Sequence, residues 1–310
     1  MTTLKRLVIG TRGSALALWQ ANFVAEQIRK LHPELEVVLE TIVTSGDRFQ
    51  TGPVADVGGK AVWVKELEEA LLAGKVDLAV HSLKDVPASL PDGLMLAAYP
   101  ERADARDAWL SRKGASLMEL PAGSRVGTSS LRRSCQLRAK RPDLKVELLR
   151  GNVDTRLRKL DEGDVDAAIL ACAGLDRLGH GGRITQRLPA DVMLPAIGQG
   201  CMAIETRFGD PRVAPLVAKL DHAETRTAVI AERALMAGLG GSCRTPVGGY
   251  AVVSGTKLTL TGLVGRPDGT DILQVVREGE VSKASLLGTE TAKALLIKGA
   301  DAILADLDNG

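Results

Sequence analysis

Three polar groups sit together in His81-Ser82-Leu83-Lys84-Asp85-Val86-Pro87: a hydroxyl, an ammonium and a carboxylate. The residues before them, Lys75-Val76-Asp77-Leu78-Ala79-Val80, read as a short buried strand preceded by the breaker Gly74. Pro87, Pro91 and Gly93 then enforce an irregular loop. The polar trio therefore leaves the end of a core strand, which is where open α/β sheets bind ligands. A solvated polar turn is the alternative reading of the same residues.

A second chemistry recurs at helix starts. Gly10-Thr11-Arg12-Gly13-Ser14 and Gly127-Thr128-Ser129-Ser130 each end a strand and open a helix, with Arg12 in one and Arg132-Arg133 just inside the other. Free N–H groups and a partial positive charge at a helix N-terminus attract carboxylate or phosphate, and a guanidinium adds a bidentate clamp. Arg150 and Arg156 repeat the arrangement around the next helix, and Arg177 follows the strand–helix pair after that. A single such Arg reads equally as a solvated helix residue; the recurrence in both halves argues for anion binding. A basic DNA-contacting helix over 129–141 is the competing interpretation, but the basic residues fall at successive element ends and not along one helix face.

Four cysteines stand at 135, 172, 201 and 243, with no CxxC and no His at zinc spacing, so no metal is expected. Cys135, Cys172 and Cys201 lie within a helix or apolar runs and read as buried, inert thiols. Cys243 differs: Gly240-Gly241-Ser242-Cys243-Arg244 is a flexible loop with an Arg beside the thiol, which suits a nucleophile or an attachment point.

The elements that carry these residues follow from periodicity. Strands are expected over 4–9, 35–43, 75–80 and 94–98, and helices over 14–31 and 62–72. In the first helix Ala17, Ala21, Val24, Ile28 and Leu31 share one stripe. Residues 44–60 hold four Gly and one Pro without periodicity, a long loop of the functional or mobile kind. After a polar linker over 100–106 a second strand–helix series echoes the first: the two Gly-Thr turns match, and Gly163-Asp164-Val165-Asp166-Ala167-Ala168-Ile169 matches Gly74-Lys75-Val76-Asp77-Leu78-Ala79-Val80. The echo predicts two similar α/β domains around a cleft, with mainly parallel sheets. Residues 194–200 read as a second crossing, 201–207 as a strand returning to the first domain, and 223–239 as a helix. Beyond Val247 short alternating strands and a helix over 283–298 read as a small α+β domain with an antiparallel sheet. The expected division is 1–99 with 200–220, then 100–199, then 221–310.

Bulk properties narrow the partners. The 310 residues are 45% hydrophobic and 25% charged, ordinary for a globular protein, and no apolar run approaches a membrane span. The first ten residues run into a strand without signal-peptide features, so a cytoplasmic protein is expected. From 125 to 187 there are fourteen Lys and Arg against eight Asp and Glu, which favours an anionic partner, whereas 3% aromatics disfavour single-stranded nucleic acid.

Four stretches, in order and with compatible spacing, carry a resemblance over essentially the whole chain. They are His81-Ser82-Leu83-Lys84-Asp85-Val86-Pro87, Gly127-Thr128-Ser129-Ser130-Leu131-Arg132-Arg133, Leu149-Arg150-Gly151-Asn152-Val153-Asp154-Thr155-Arg156, and Gly198-Gln199-Gly200. Together they resemble the porphobilinogen deaminase family. The resemblance implies two periplasmic-binding-protein-like domains, a third small domain, and a dipyrromethane cofactor joined to a loop cysteine by a thioether. It implies a transferase that joins four porphobilinogen molecules head to tail with loss of ammonia and releases the linear tetrapyrrole by hydrolysis, a step of haem biosynthesis.

Carried onto this sequence, the resemblance makes Asp85 the catalytic carboxylate and Cys243 the attachment site. It assigns Lys84, Ser129, Arg132, Arg133, Arg150 and Gly151 to the cofactor. Arg12, Ser14, Lys60, Ser82, Arg156, Arg177 and Gln199 are assigned to the substrate. It further implies a monomer without nucleic-acid or membrane partners. Many members have Gly-Gly-Cys where this chain has Gly241-Ser242-Cys243, so Ser242 replaces a residue free to take positive φ. A fixed carboxylate suits the reaction, because losing ammonia leaves a cationic methylene-pyrrole. A product that gains two carboxylates per ring accounts for the Arg set. A non-catalytic solute-binding protein of the same shape would need neither Asp85 nor Cys243.

Overall fold

Ser14 accepts a hydrogen bond from Ala17 N (3.3 Å) and so caps the first helix, α1 (Ala15–Leu31). Ala17, Ala21, Val24 and Ile28 of the expected stripe are buried, while Leu31, in the last turn, is 40% exposed. His32 ends the helix and Pro33 prevents its continuation. α1 lies on a sheet of five strands: β1 (Arg6–Thr11), β2 (Glu36–Thr41), β3 (Leu78–Ser82), β4 (Leu94–Ala98) and β10 (Met202–Arg207). The computed structural model describes residues 4–48, 62–240 and 245–308. Within them, this sheet belongs to one unit (Met1–Arg102 with Cys201–Arg226), and the remainder, Ala103–Gly200 with Thr227–Gly310, forms a second.

In the first unit the strand order is β2-β1-β3-β10-β4. Leu7, Ile9, Leu78, Val80 and Ile204 meet α1 and α7 (Ala214–Ala218) on one face. On the other, Ala79 and Leu94 meet Leu67, Ala70 and Leu71 of α3 (Lys65–Leu72). A short helix, α2 (Ser45–Arg48), precedes residues 49–61, which lie outside the described residues together with Lys60.

The second unit repeats the plan. Its five strands are β5 (Asp107–Ser111), β6 (Arg125–Gly127), β7 (Lys145–Glu147), β8 (Ala167–Ala171) and β9 (Gln186–Leu188), in the order β7-β6-β8-β5-β9. The helices are α4 (Leu131–Lys140), capped by Ser130, α5 (Val153–Glu162), capped by Asn152 and closed by Gly163 at φ +88°, and α6 (Cys172–Arg177). β1 and β6 occupy the same place in the two orders, as do β3 and β8, which is where the sequence echoes fell.

The expectation of mainly parallel sheets holds with one exception in each: four strands run one way and the fifth is reversed. β1–β2 and β1–β3 are parallel, but β10 runs antiparallel to both β3 and β4. β5 does the same between β8 and β9. In each unit the odd strand enters from the other side of the chain's crossing, not through a βαβ turn, so nothing obliges it to run parallel.

The rest of the second unit is an antiparallel sheet, β11 (Val247–Ser254), β12 (Lys257–Gly265) and β13 (Ile272–Glu280), with α8 (Ala223–Gly238), α9 (Ala284–Ile297) and α10 (Ala300–Asp308). The alternating segments read from the sequence are these strands; α10 was not anticipated. Cys135 of α4, Leu194 and Leu263 form a shared apolar cluster, and Gly265 lies so close to Cys135 that a Cβ there would stand 2.8 Å from its sulfur. The fold is thus two five-stranded α/β sheets plus a C-terminal antiparallel sheet with helices. No helix among the described residues is long and apolar enough to cross a membrane, and no group of three or more metal-ligating side chains converges there.

Candidate functional site

β3 ends at Ser82 and the chain turns through one 3-10 turn, Leu83–Asp85. Leu83 is buried and its N–H donates to Cys201 O (3.0 Å), which pins the turn to the sheet and swings Asp85 outward. Asp85 is half-buried and lines a cavity with Arg12, Ser14, Gln20, Trp63, His81 and Ser82. Among the described residues it makes no hydrogen bond or ion pair. That sets it apart, because the other charged group of the cavity is already matched. Arg12 Nε and Nη2 donate to Asp47 at 3.2 and 2.5 Å, and its guanidinium lies 4.3 Å from the Trp63 ring centroid. Burial alone would raise the Asp47 carboxyl, but Arg12 and the Thr44 hydroxyl and N–H hold it below the ordinary range. Ser82 is oriented by Gln20, whose Nε2 donates to Ser82 Oγ at 3.0 Å.

The second unit gathers a different set. Asp107 is fully buried at the start of β5. Arg132 Nη1 donates to its Oδ2 (2.7 Å), and Arg133 Nε and Nη2 donate to its Oδ1 (3.0 and 2.8 Å). Gln199 Nε2 donates to the same oxygen at 2.9 Å. Arg132 also reaches Leu194 O, and Arg133 reaches Ile169 O. Burial works against ionisation of Asp107, but the two guanidiniums outweigh it and hold the carboxyl far below the usual range. Arg132 and Arg133 are therefore carboxylate clamps, and the carboxylate they hold here is the chain's own.

The other expected residues lie at helix starts and crossings. Ser129 is exposed just before the Ser130 cap. Gly151 takes φ +114°, and a Cβ there would meet Thr155 at 2.6 Å. Arg156 Nε donates to Gly151 O (2.8 Å), and Arg177 Nη2 to Gly200 O (2.8 Å). Arg150 Nε is buried with no hydrogen-bond partner among the described residues, an orphaned donor of the kind an anion satisfies. Lys84 is half-buried in the Asp85 turn. Lys60 and Cys243 lie outside the described residues. The remaining cysteines are buried; burial pushes the Cys135 thiol up to about 11, and burial with nearby Asp104 pushes Cys172 up to about 12, which suits inert thiols. Sequence reasoning missed Gln20 and Trp63 in the cavity and Asp107 beneath the arginines. Gln20 was within reach, since it falls three residues after Ala17 and four before Val24, on the buried face of α1.

Known proteins can now be set beside this geometry. Residues 7–215 match the porphobilinogen deaminase dipyrromethane cofactor binding domain, and residues 226–297 the porphobilinogen deaminase C-terminal domain. The porphobilinogen deaminase of Syntrophotalea carbinolica is 51% identical over 302 residues, covering 97% of this chain and 96% of that protein. Among solved structures, similarity in fold extends to an amino-acid ABC transporter extracellular-binding protein, ytmK, of Bacillus subtilis (TM-score 0.43, 11% identity, 70% of this chain and 90% of that one). It also extends to the second substrate binding domain of an amino acid ABC transporter of Streptococcus pneumoniae (TM-score 0.44, 14% identity, 69% and 91%). The two domain matches together span most of the sequence, and the chain belongs to the porphobilinogen deaminase family.

Proposed function

We propose that the chain condenses four porphobilinogen molecules head to tail with loss of ammonia, on a dipyrromethane primer held covalently at Cys243, and releases hydroxymethylbilane by hydrolysis. The observation that carries this reading is the Asp85 carboxylate, unpaired among the described residues, in a cavity where Arg12 is already matched. Loss of ammonia from the aminomethyl group of porphobilinogen leaves a cationic, electron-poor carbon. A carboxylate held at a strand end stabilises that charge and hydrogen-bonds the pyrrole N–H. The same carboxylate can take the proton released when the new ring regains aromaticity. Ser82, held by Gln20, and Arg12 and Ser14 on the same cavity wall bind the acetate and propionate groups of the substrate, together with Lys60, Arg156, Arg177 and Gln199.

The residues present fit the dipyrromethane group, which brings carboxylates of its own. Arg150 supplies an orphaned buried donor and Ser129 an exposed hydroxyl. Lys84, Gly151 and the Asp107-paired Arg132 and Arg133 complete the set. When bound, the group supplies the primer on which the product grows. We further assign residues 221–310 to a separate cofactor-bearing domain, and a cytoplasmic monomer without nucleic-acid or membrane partners to the working enzyme. The low aromatic content and the Arg set, which a polycarboxylate product explains, support that assignment.

Intact mass tests the reading directly. The purified protein should exceed its polypeptide mass by two linked pyrrole units, and Cys243→Ser should remove the excess. A bare polypeptide mass in the wild-type protein would overturn the proposal.

A further inference from the structure

Beneath the Asp85 cavity lies a buried group that the mechanism above does not use. His81 and Glu205 point to the same face of the first sheet, because Glu205 pairs with Ala79 and His81 is two residues on. His81 Nε2 and Glu205 Oε2 are 2.9 Å apart, with side chains 3% and 0% exposed. Among the described residues Glu205 Oε1 has no hydrogen-bond partner. The helix covering this face, α3, adds Glu68, also buried, whose Oε1 has no partner either. Two buried carboxyl groups and one buried imidazole thus lie where α3 covers the sheet, and His81 also lines the cavity that holds Asp85.

Like charges buried together cannot both be ionised cheaply, so a proton stays in the group. Burial first, and Glu205 second, push the Glu68 carboxyl up to about 7, against a smaller opposing effect of His81. The other charged groups on the elements packed against α3 are committed elsewhere. Arg207 of β10 donates to Leu71 O and Val76 O and pairs with Asp77 and Asp210. Glu66 receives Ser45 N–H, Lys65 and Glu69 form an exposed pair, Arg6 of β1 pairs with Glu36, and β4 carries no charge. Glu69 adds only a minor push in the same direction.

We propose that Glu205 is a positioning residue for His81 under the Asp85 cavity, and that the buried Glu68 carboxyl on the helix covering this pair acts on the cavity through its charge. Glu205 fixes the ring by holding Nε2. When Glu68 gives its proton to water, the group gains one negative charge, and a negative charge under the cavity favours the cationic carbon formed as ammonia leaves. Turnover therefore rises with pH through this ionisation. The inference rests on the porphobilinogen reading above.

The test compares kcat and KM for porphobilinogen across the neutral pH range in wild-type holoenzyme, Glu68→Gln and Glu68→Asp. In the wild type kcat should climb through a step near neutrality. In Glu68→Gln that step should vanish, leaving kcat about tenfold below wild type on the alkaline side, with KM little changed. Glu68→Asp, which keeps a carboxyl, should restore a step at a displaced pH. An infrared titration of the wild-type protein, which needs no variant to fold, should show a buried carboxyl losing its proton near neutrality. Superimposable profiles for wild type and Glu68→Gln, or no such carboxyl in the wild type, would overturn the inference while leaving the enzyme reading intact. A wild-type protein that releases no ammonia from porphobilinogen would overturn that reading, and this inference with it.

Discussion

The two five-stranded sheets share one strand order, and each buries a carboxylate on its antiparallel return strand, Glu205 on β10 and Asp107 on β5. They solve the resulting electrostatic problem in opposite ways. Asp107 is met by two guanidiniums and an amide, groups whose charge does not change at any physiological pH. Glu205 is met by the His81 imidazole, with a second buried carboxyl, Glu68, whose proton is held up to about 7. The same scaffold therefore carries a fixed charge cluster in one unit and a responsive one in the other. Asp85, at the end of β3, receives neither treatment and is left with its charge available to a ligand.

The contrast breaks most visibly if Asp107 is removed. Asp107→Asn leaves two buried guanidiniums without their counter-charge, and should lower the unfolding free energy by about 3–5 kcal/mol. Urea denaturation measures it. A loss below about 1 kcal/mol would mean that Arg132 and Arg133 find solvent or another anion once Asp107 is gone, and that the cluster is not a fixed scaffold. Asp85→Asn probes the third case. With no partner to lose among the described residues, it should leave stability and the cofactor mass excess unchanged, while kcat falls by roughly 10²–10³, equivalent to about 3–4 kcal/mol. Near-normal turnover would take Asp85 out of the mechanism, and a large fall in stability would show that it is held by the fold after all.

Much of this comparison was legible in the sequence, and the missing part has a physical cause. The matching Gly-Thr turns and the Val-Asp-x-Ala echo marked β1 and β6, β3 and β8, because local chemistry makes a strand end and a helix begin. The same turns marked Ser14, and the polar run after Val80 marked Asp85. Strand direction was not legible for β10 and β5, since their partners lie across a crossing and no local residue encodes them. The Asp107 cluster was hidden for a related reason: the arginines sit 25 and 26 residues from their acid. Periodicity shows a helix start rich in Arg without showing that a strand's first residue already occupies it. Glu68 was within reach. In Lys65-Glu66-Leu67-Glu68-Glu69-Ala70-Leu71-Leu72 it falls four residues after Val64 and three before Leu71, which places it on the apolar face of the helix. The run of three glutamates around Leu67 disguises that position as a solvated one.

The smallest effect separates the two clusters by pH. In the folded protein Glu68 is raised to about 7 from an ordinary 4.5, so the fold binds its proton more tightly than the unfolded chain does. That contribution is fully present below the ordinary value and is lost as pH rises through about 7, after which the fold carries a buried anion. Glu68→Gln has nothing to lose. Relative to the variant, the wild type should therefore weaken by on the order of 2–3 kcal/mol between about pH 4.5 and about pH 8. Asp107 behaves in the reverse sense and outside this window: its carboxyl is held low, so its contribution is present above the ordinary Asp range and is lost only as pH falls below it. Urea unfolding of wild type and Glu68→Gln at both ends of the window measures the difference. Curves that stay parallel would remove Glu68 as a responsive group and leave this cluster as fixed as that of Asp107.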